Sequence, residues 1–401
     1  MKKIIFLIAT AIITLIAFNS CGDKLDLDKT LKFSTLTVEQ QKQSIEQSGL
    51  DFVNKMNGMK DTKGMIALQA FSAKTGSNLS FAPAVNQFQA NLVKRNVKSL
   101  EVFEKQMRVT AATDDEIWGE WSWNSNIGEF EKTNELTNKA IMHFPATETS
   151  TTNNAELTIT FEDSNVKIPD SDPVQYMPSK ISVVLKVGGA IAMKADFTAS
   201  YKADATPTKA KQTLEIDKYK WTAELTNNSE EVSAKYEVMY GTETLLKMEL
   251  VAAGTMTADA FENSDGPQDV FTSGAVYFQI MNLACLGGIK DVIAFENERN
   301  GIENTNDRSY ADKQVLVINK HLILYGYFVD KKQKFADVEF YVVEKTDVDT
   351  NYDGVINQYD VQYKFELRFV LSDGSKVDIQ TFFESGFEDL LNKLTEYVSV
   401  K

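Results

Sequence analysis

Twelve residues toward the C-terminal end, Asp349 to Asp360, read DTNYDGVINQYD. Oxygen-bearing side chains stand at the first, third and fifth places (Asp349, Asn351, Asp353), glycine at the sixth, and Asp360 at the twelfth. A hard cation such as Ca²⁺ needs several oxygens converging on one point, and this spacing supplies them. Gly354 permits the sharp turn, the Val355 carbonyl adds a further oxygen, and Ile356 is placed to anchor the loop in apolar surroundings. Calcium in a structural role, held by Asp349, Asn351, Asp353, Val355 and Asp360, is therefore the one cofactor expected. The other reading is a polar Asp/Asn/Gly turn that fits the template by composition.

The second set of candidates is aromatic. Trp118, Trp121 and Trp123 lie in IWGEWSW, and on a strand Trp121 and Trp123 share one face. Indole faces stack on sugar rings or line apolar grooves, so both are ligand-binding candidates. Equally, large aromatics close cores. Catalytic constellations are sparse. His143 and His321 are far apart with no paired metal spacing, and no nucleophile elbow or phosphate-binding glycine loop occurs. Asp114-Asp115-Glu116 is the densest acid cluster and reads as a solvated cap. No catalytic residue is assigned, and the chain is expected not to be an enzyme.

The calcium-type stretch resembles a dockerin or EF-hand loop, including Asp rather than Glu at its twelfth place. Its flanks differ from those families. Phe340–Val343 precedes it and Val361–Phe369 follows with period two, so the loop is expected to join two strands and no cohesin partner is implied.

The N-terminus carries a different signal. Lys2 and Lys3 precede the uncharged run Ile4–Phe18, then Asn19-Ser20-Cys21-Gly22. This is the layout of a secretory leader with a cysteine at the break. It resembles bacterial lipoproteins of the Bacteroidetes type, with Phe18 and Asn19 departing from the commonest pattern and the acids Asp23, Asp26 and Asp28 following. The resemblance covers about thirty residues. It implies cleavage before Cys21, acylation of that thiol, and an outer-membrane lipoprotein facing outward. A plain secretory leader, or an uncleaved anchor, is the other reading.

Loss of residues 1–20 removes two lysines and no acid, taking the formal net charge from −15 to −17. Such a chain is repelled by phosphate backbones, which excludes nucleic acid as an expected partner. There are two cysteines. With Cys21 lipidated, Cys285 has no partner for a disulfide in its own chain and is expected in the core.

The elements behind these sites fall into blocks. Leu31 to about Arg108 reads as helical: Thr37 and Gln40 make a capping box, followed by Ile45, Phe52, Met56 and Met59. Met65, Leu68 and Phe71 mark a second stretch, and Val85 to Met107 a third. From Trp118 the period changes to two, as in Leu157-Ile159-Phe161, Ile181–Val187 and Val232–Tyr240. Lys180–Val187 with Met193–Phe197 parallels Glu231–Val238 with Leu246–Leu250, so duplicated hairpins or shared strand propensity explain the middle region. Val270–Leu286, apolar on most sides and ended by Gly287-Gly288, reads as a buried helix. Val315–Ile318 reads as a strand, Asp373-Gly374 as a hairpin turn, and Ser385 with Glu388 as a second capping box before an amphipathic last helix.

The expected fold is α+β: an N-terminal helical unit, a large antiparallel sheet (curved or sandwiched), additional packed helices and a C-terminal amphipathic helix. The expected organisation is a leader (1–20), an acidic tether (21–30), a helical unit (31–112), a β-rich region (117–262) and an α+β region (267–401) holding the loop 349–360. The function expected is a non-enzymatic binding or accessory protein of the cell envelope, attached to the membrane through Cys21 and binding a glycan or surface protein. The alternatives are a carrier of lipid or another hydrophobic small molecule beneath a curved sheet, and a carboxylate-dependent glycan-active enzyme.

Overall fold

The computed structural model describes residues 31–75, 118–168, 176–257, 260–261, 263–305, 307–346 and 361–399. Their strands form one sixteen-stranded, almost wholly antiparallel sheet accompanied by helices, an α+β fold. Cys21, the acid cluster 114–116, the helical stretch Val85–Met107 and the loop 349–360 lie outside the described residues.

The order is that of a meander: each strand lies beside its sequence neighbour from β16 (Lys376–Asp378) back to β3 (Lys139–Phe144). Only the far end departs from it. There β1 (Gly119–Asn124) inserts between β3, to which it runs parallel, and β2 (Glu129–Asn134), to which it runs antiparallel. The described chain divides into two compact units. One holds the described residues of Met1–Lys55, Thr226–Glu237 and Glu243–Lys401; the other holds those of Met56–Leu225 and Val238–Thr242.

In the second of these units, α2 (Lys63–Thr75) buries Ala67, Leu68 and Phe71 against the sheet. Gly64 permits the approach, since a Cβ there would sit 2.6 Å from the Ala192 carbonyl oxygen. The strands beneath are β4 (Ala155–Lys167), β5 (Tyr176–Val187), β6 (Ala190–Tyr201), β7 (Pro207–Ile216) and β8 (Tyr219–Asn227). Alternate residues of β4 to β7, among them Leu157, Leu185, Met193 and Leu214, enter the same core as α2, and the residues between them face the other way. The turn Gly188-Gly189 takes φ of 59° and 80°, the left-handed conformation that a tight β5–β6 hairpin requires.

In the other unit, α1 (Val38–Asn57) begins with the expected capping box. The Gln40 amide donates to the Thr37 hydroxyl at 3.3 Å, and the Thr37 amide donates to the Gln40 side-chain oxygen at 3.0 Å. Helix α1 buries Ile45 in a core with Phe328, Phe335, Phe369, Phe382 and Phe387. The sheet here comprises β9 (Glu231–Tyr240), β10 (Glu243–Gly254), β11 (Phe271–Ile280), β12 (Leu283–Ile289), β13 (Leu322–Phe328), β14 (Gln333–Lys345), β15 (Gln362–Val370) and β16. Both repeat segments lie on neighbouring strands, β5 with β6 and β9 with β10.

Four local expectations are corrected. Val270–Leu286 is not a helix but the hairpin β11–β12, turning at Met281 with φ of 52°. One face of Phe271–Ile280 is buried and the other is half-buried but still apolar at Val276, Phe278 and Ile280, so the run lacks the apolar–polar alternation that marks a half-solvated strand. Val315–Ile318 is not a strand but the third turn of α3 (Arg308–His321), whose Ala311, Val315 and Gln314 are buried at helical spacing. Asp307 caps it by accepting the Tyr310 amide at 2.8 Å. Leu31–Leu36 is not helical; Phe33 makes a parallel β-bridge to Lys334. Ser385 takes a hydrogen bond from Lys42 Nζ at 3.3 Å, while the Glu388 carboxylate accepts the Gly386 amide.

Candidate functional site

The Trp pair on β1 faces the side of the sheet that α2 covers. Trp123 packs edge-on to Phe130 with centroids 5.3 Å apart, joins the core holding Phe71 and Phe144, and lies under Lys74 Nζ at 5.3 Å. Trp121 lies under Lys132 Nζ at 5.5 Å. Both rings are half-buried. Trp123 thus has the surroundings of a core residue with one cationic neighbour.

The opposite face of this unit is polar and half-exposed, built by the residues that alternate with the core set. Register places Thr160, Ser182, Asp196 and Thr213 in one cross-strand row, and Glu162, Lys180, Thr198 and Lys211 in another. Charges on these strands are matched across neighbours: Lys180 to Glu162 at 2.7 Å, Lys186 to Glu156 at 2.9 Å, Lys211 to Glu224 at 2.6 Å and Lys220 to Glu215 at 2.7 Å. Exposed pairs of this kind contribute about 0–1 kcal/mol each, so they set charge balance more than stability. The effect is a broad, nearly neutral polar surface on a strongly acidic chain.

At its β1 end the face gathers a denser group. His143 stands opposite Glu156 on β4 and beside Ser122 on β1, and its Nε2 lies 2.9 Å from Glu120 Oε1. Asn153 donates at 2.9 Å to both Ser122 Oγ and the Trp123 carbonyl. The Lys186 hydrogen bond, opposed by partial burial and reinforced by the charges of Lys186 and His143, holds the Glu156 carboxyl below its ordinary range. Burial raises Asp196, but hydrogen bonds from Lys194 and Ser182 outweigh it and leave its pKa lowered. These carboxylates are ionised and partnered, suited to polar recognition.

The other unit carries its own network on β14–β16. The Tyr341 hydroxyl donates to Asp378 Oδ2 at 2.8 Å, the Arg368 guanidinium stacks 4.8 Å above its ring, and Arg368 and Lys376 both reach Glu339 Oε1. Burial and then the two carboxylates push the Tyr341 phenol well above its usual range. Cys285 faces Phe278 and Gly326 across the sheet, and desolvation pushes its thiol up to about 11, which makes it a poor nucleophile.

The sequence reading did not single out His143 as a neighbour of Glu120 and Glu156. Nothing in their spacing places three strands side by side. Nor does the sequence alone mark Lys334, a buried lysine next to the buried Phe335 and Ala336 at the start of β14. No protein-family model matches the chain, and a search of curated proteins returns no match.

Proposed function

We propose that this chain is a lipid-anchored cell-envelope protein, attached to the outer membrane through acylated Cys21 and facing outward, that acts as a non-enzymatic binding or accessory protein. The observation that carries the binding part is the two-sidedness of the β4–β8 sheet. One face is closed by α2 and its core; the other presents rows of Thr, Ser, Lys, Glu and Asp with their charges mutually balanced. A neutral polar face on an acidic protein can approach a hydroxyl-rich glycan or a polar protein surface without the repulsion that the rest of the chain imposes. The leader and Cys21 support the anchoring.

The loop 349–360 is proposed to hold one calcium ion in a structural role, through Asp349, Asn351, Asp353, the Val355 carbonyl and Asp360. A second reading, a carrier of a hydrophobic molecule, draws support from the half-buried apolar residues Ile159, Phe161, Ala199, Ala210 and Trp221 around the α2 core.

Native mass spectrometry of soluble residues 22–401, before and after EDTA, tests both points. One EDTA-removable calcium, lost in Asp353→Ala, supports the loop; no calcium under replete conditions reduces it to a turn. A co-purified mass of lipid size favours the carrier. For the binding face, glycan and envelope-protein screens are run with the parent and with Thr160→Arg/Thr213→Arg. A hit that survives this double substitution removes the face from the proposal.

A further inference from the structure

Strand β15 is paired along its whole length on one side and only near its end on the other. From Gln362 to Val370 it faces Lys345 to Asp337 of β14 in unbroken register, whereas β16 covers only Arg368 to Val370. Among the described residues, nothing pairs with the outer edge of Gln362–Leu367. The hairpin beside it fixes the direction of its backbone groups. The Leu371 amide donates to the Ser375 carbonyl at 2.9 Å, so counting back by two, Leu367, Phe365 and Tyr363 point amide and carbonyl outward along this edge.

The edge also carries apolar surface. Phe365 is 41% exposed, although it stands opposite Val342, which Ala311 and Val315 of α3 cover. Leu316 of the same helix is 69% exposed. Its neighbour Val315 meets the sheet, and Gln314 donates to the Arg299 carbonyl of the helix Val292–Asn300, on the β11 side. Successive helical residues are about 100° apart, so Leu316 lies on the flank toward the β15 edge. Charge then limits what can pair there. Lys364 is exposed and has no carboxylate partner among the described residues, and an unanswered edge lysine opposes indiscriminate strand addition. Glu366, two places on, meets Lys345 Nζ at 3.3 Å and the Tyr341 hydroxyl at 3.4 Å, both long contacts. An antiparallel copy of the same strand, centred on Phe365, sets Lys364 opposite Glu366 and Glu366 opposite Lys364.

We propose that this edge is a self-association surface: two copies of the chain pair their β15 strands antiparallel about a two-fold axis at Phe365. The outward backbone groups of Phe365 bond to those of Phe365 in the second copy, and Tyr363 and Leu367 bond to Leu367 and Tyr363, about six hydrogen bonds in all. A two-fold axis normal to the sheet keeps each face on its own side, so both Phe365 rings meet beneath the two Leu316 flanks. The charged pairs set the register, since sliding the second strand along the first leaves Lys364 without a carboxylate. A seam this narrow makes a weak dimer in exchange with monomer.

Sedimentation velocity of the full chain, in density-matched detergent with micelles in excess, reads the dimer. The parent is expected to dimerise as its concentration rises, and Lys364→Glu to weaken that dimer at least about tenfold. The swap Lys364→Glu/Glu366→Lys restores both cross-copy pairs and is expected to regain the parent's association. A parent that stays monomeric, a dimer indifferent to Lys364→Glu, or a folded swap that remains as weak as the single variant overturns the proposal. Should the swap fail to fold, oxidative cross-linking in a Cys285→Ala background decides. Phe365→Cys faces itself across the axis at about 5.5 Å between Cα atoms, within disulfide reach, and is expected to give the 365–365 linked peptide by mass spectrometry. Gln362→Cys is out of register with itself and is expected to give none. Equal linkage at both positions, or none at 365, overturns the pairing.

Discussion

The Phe335 ring lies in the space that a side chain on Gly326 would fill: a Cβ built at 326 would stand 2.1 Å from Phe335 Cζ. The two face each other across the bulge of the β13–β14 ladder, where Tyr327 opposes Lys334 and Gly326 opposes Ala336, leaving Phe335 as the additional residue. From there the ring reaches Phe328 and Phe369.

Gly326→Ala is therefore expected to displace the ring and destabilise the fold by about 1–3 kcal/mol, the range for overfilling a packed core. Gly287→Ala, whose Cβ meets only the end of Leu324 at 3.1 Å, serves as the comparison and should cost less. Equal midpoints for Gly326→Ala and the parent in urea denaturation would contradict this packing.

Truncating the two tryptophans should separate their roles. Trp123→Ala removes a ring shared by Phe130, the α2 core and Lys74, and about 2–3 kcal/mol of stability is expected to go with it. Trp121→Ala should cost less, and if the pair binds ligand through an indole, this variant loses binding with its melting temperature nearly intact. Reversed stability effects would place the core contact at Trp121 instead.

Alkaline titration probes desolvated acids. Burial raises Cys285 from 9.0 to about 11 and Tyr236 from 10.0 to about 12. In both, the unfolded group ionises first, so the stability they contribute is complete below the unfolded value and is lost as pH rises through the folded one. Stability should fall from pH 9 through 11 for the thiol and from pH 10 through 12 for the phenol. Cys285→Ala should remove the first part of that decline and Tyr236→Phe should lessen the second, to which the raised phenols of Tyr277 and Tyr341 also contribute, read by denaturant midpoints across the range.

Acidification acts with the opposite sign. Glu156 and Glu339 are lowered from 4.5 and Asp196 from 3.8, so their contribution is present above those values and disappears as pH falls through the folded ones. Lys186→Met is expected to return the Glu156 titration toward 4.5, measured by carboxyl NMR. An unmoved titration would mean that Thr158 and His143, not Lys186, hold it.

Much of the architecture was legible where side chains alternate against water. The period-two runs around Leu157, Ile181 and Val232, the Thr37–Gln40 box and the Asp373-Gly374 turn all act within a few residues. Legibility failed where the less buried face of an element is also apolar. Phe271–Ile280 lost its alternation because Ala275 and Tyr277 are buried on one side and Val276 and Phe278 half-buried on the other. At Val315–Ile318, a helical stripe of Ala311 and Val315 passed for a strand because Val317 is also buried. The His143 group and the Phe33–Lys334 bridge depend on register between distant segments, which periodicity does not encode.

Finally, the near-sequential strand order has a kinetic consequence. From β3 to β16 each strand pairs with the one made just before it, so most ladders close over short loops and need little chain entropy to form. A newly synthesised chain can extend the sheet one hairpin at a time, each strand templating the next, much as repeat arrays grow. The two exceptions are the slow steps. Strand β1 must wait for β3 before it has a parallel partner, and Phe33, among the earliest residues made, must wait for Lys334. Until then the first strand of the sheet and the segment around Phe33 are both without their final neighbours, so one of the first residues synthesised is fastened only after β14 has been made.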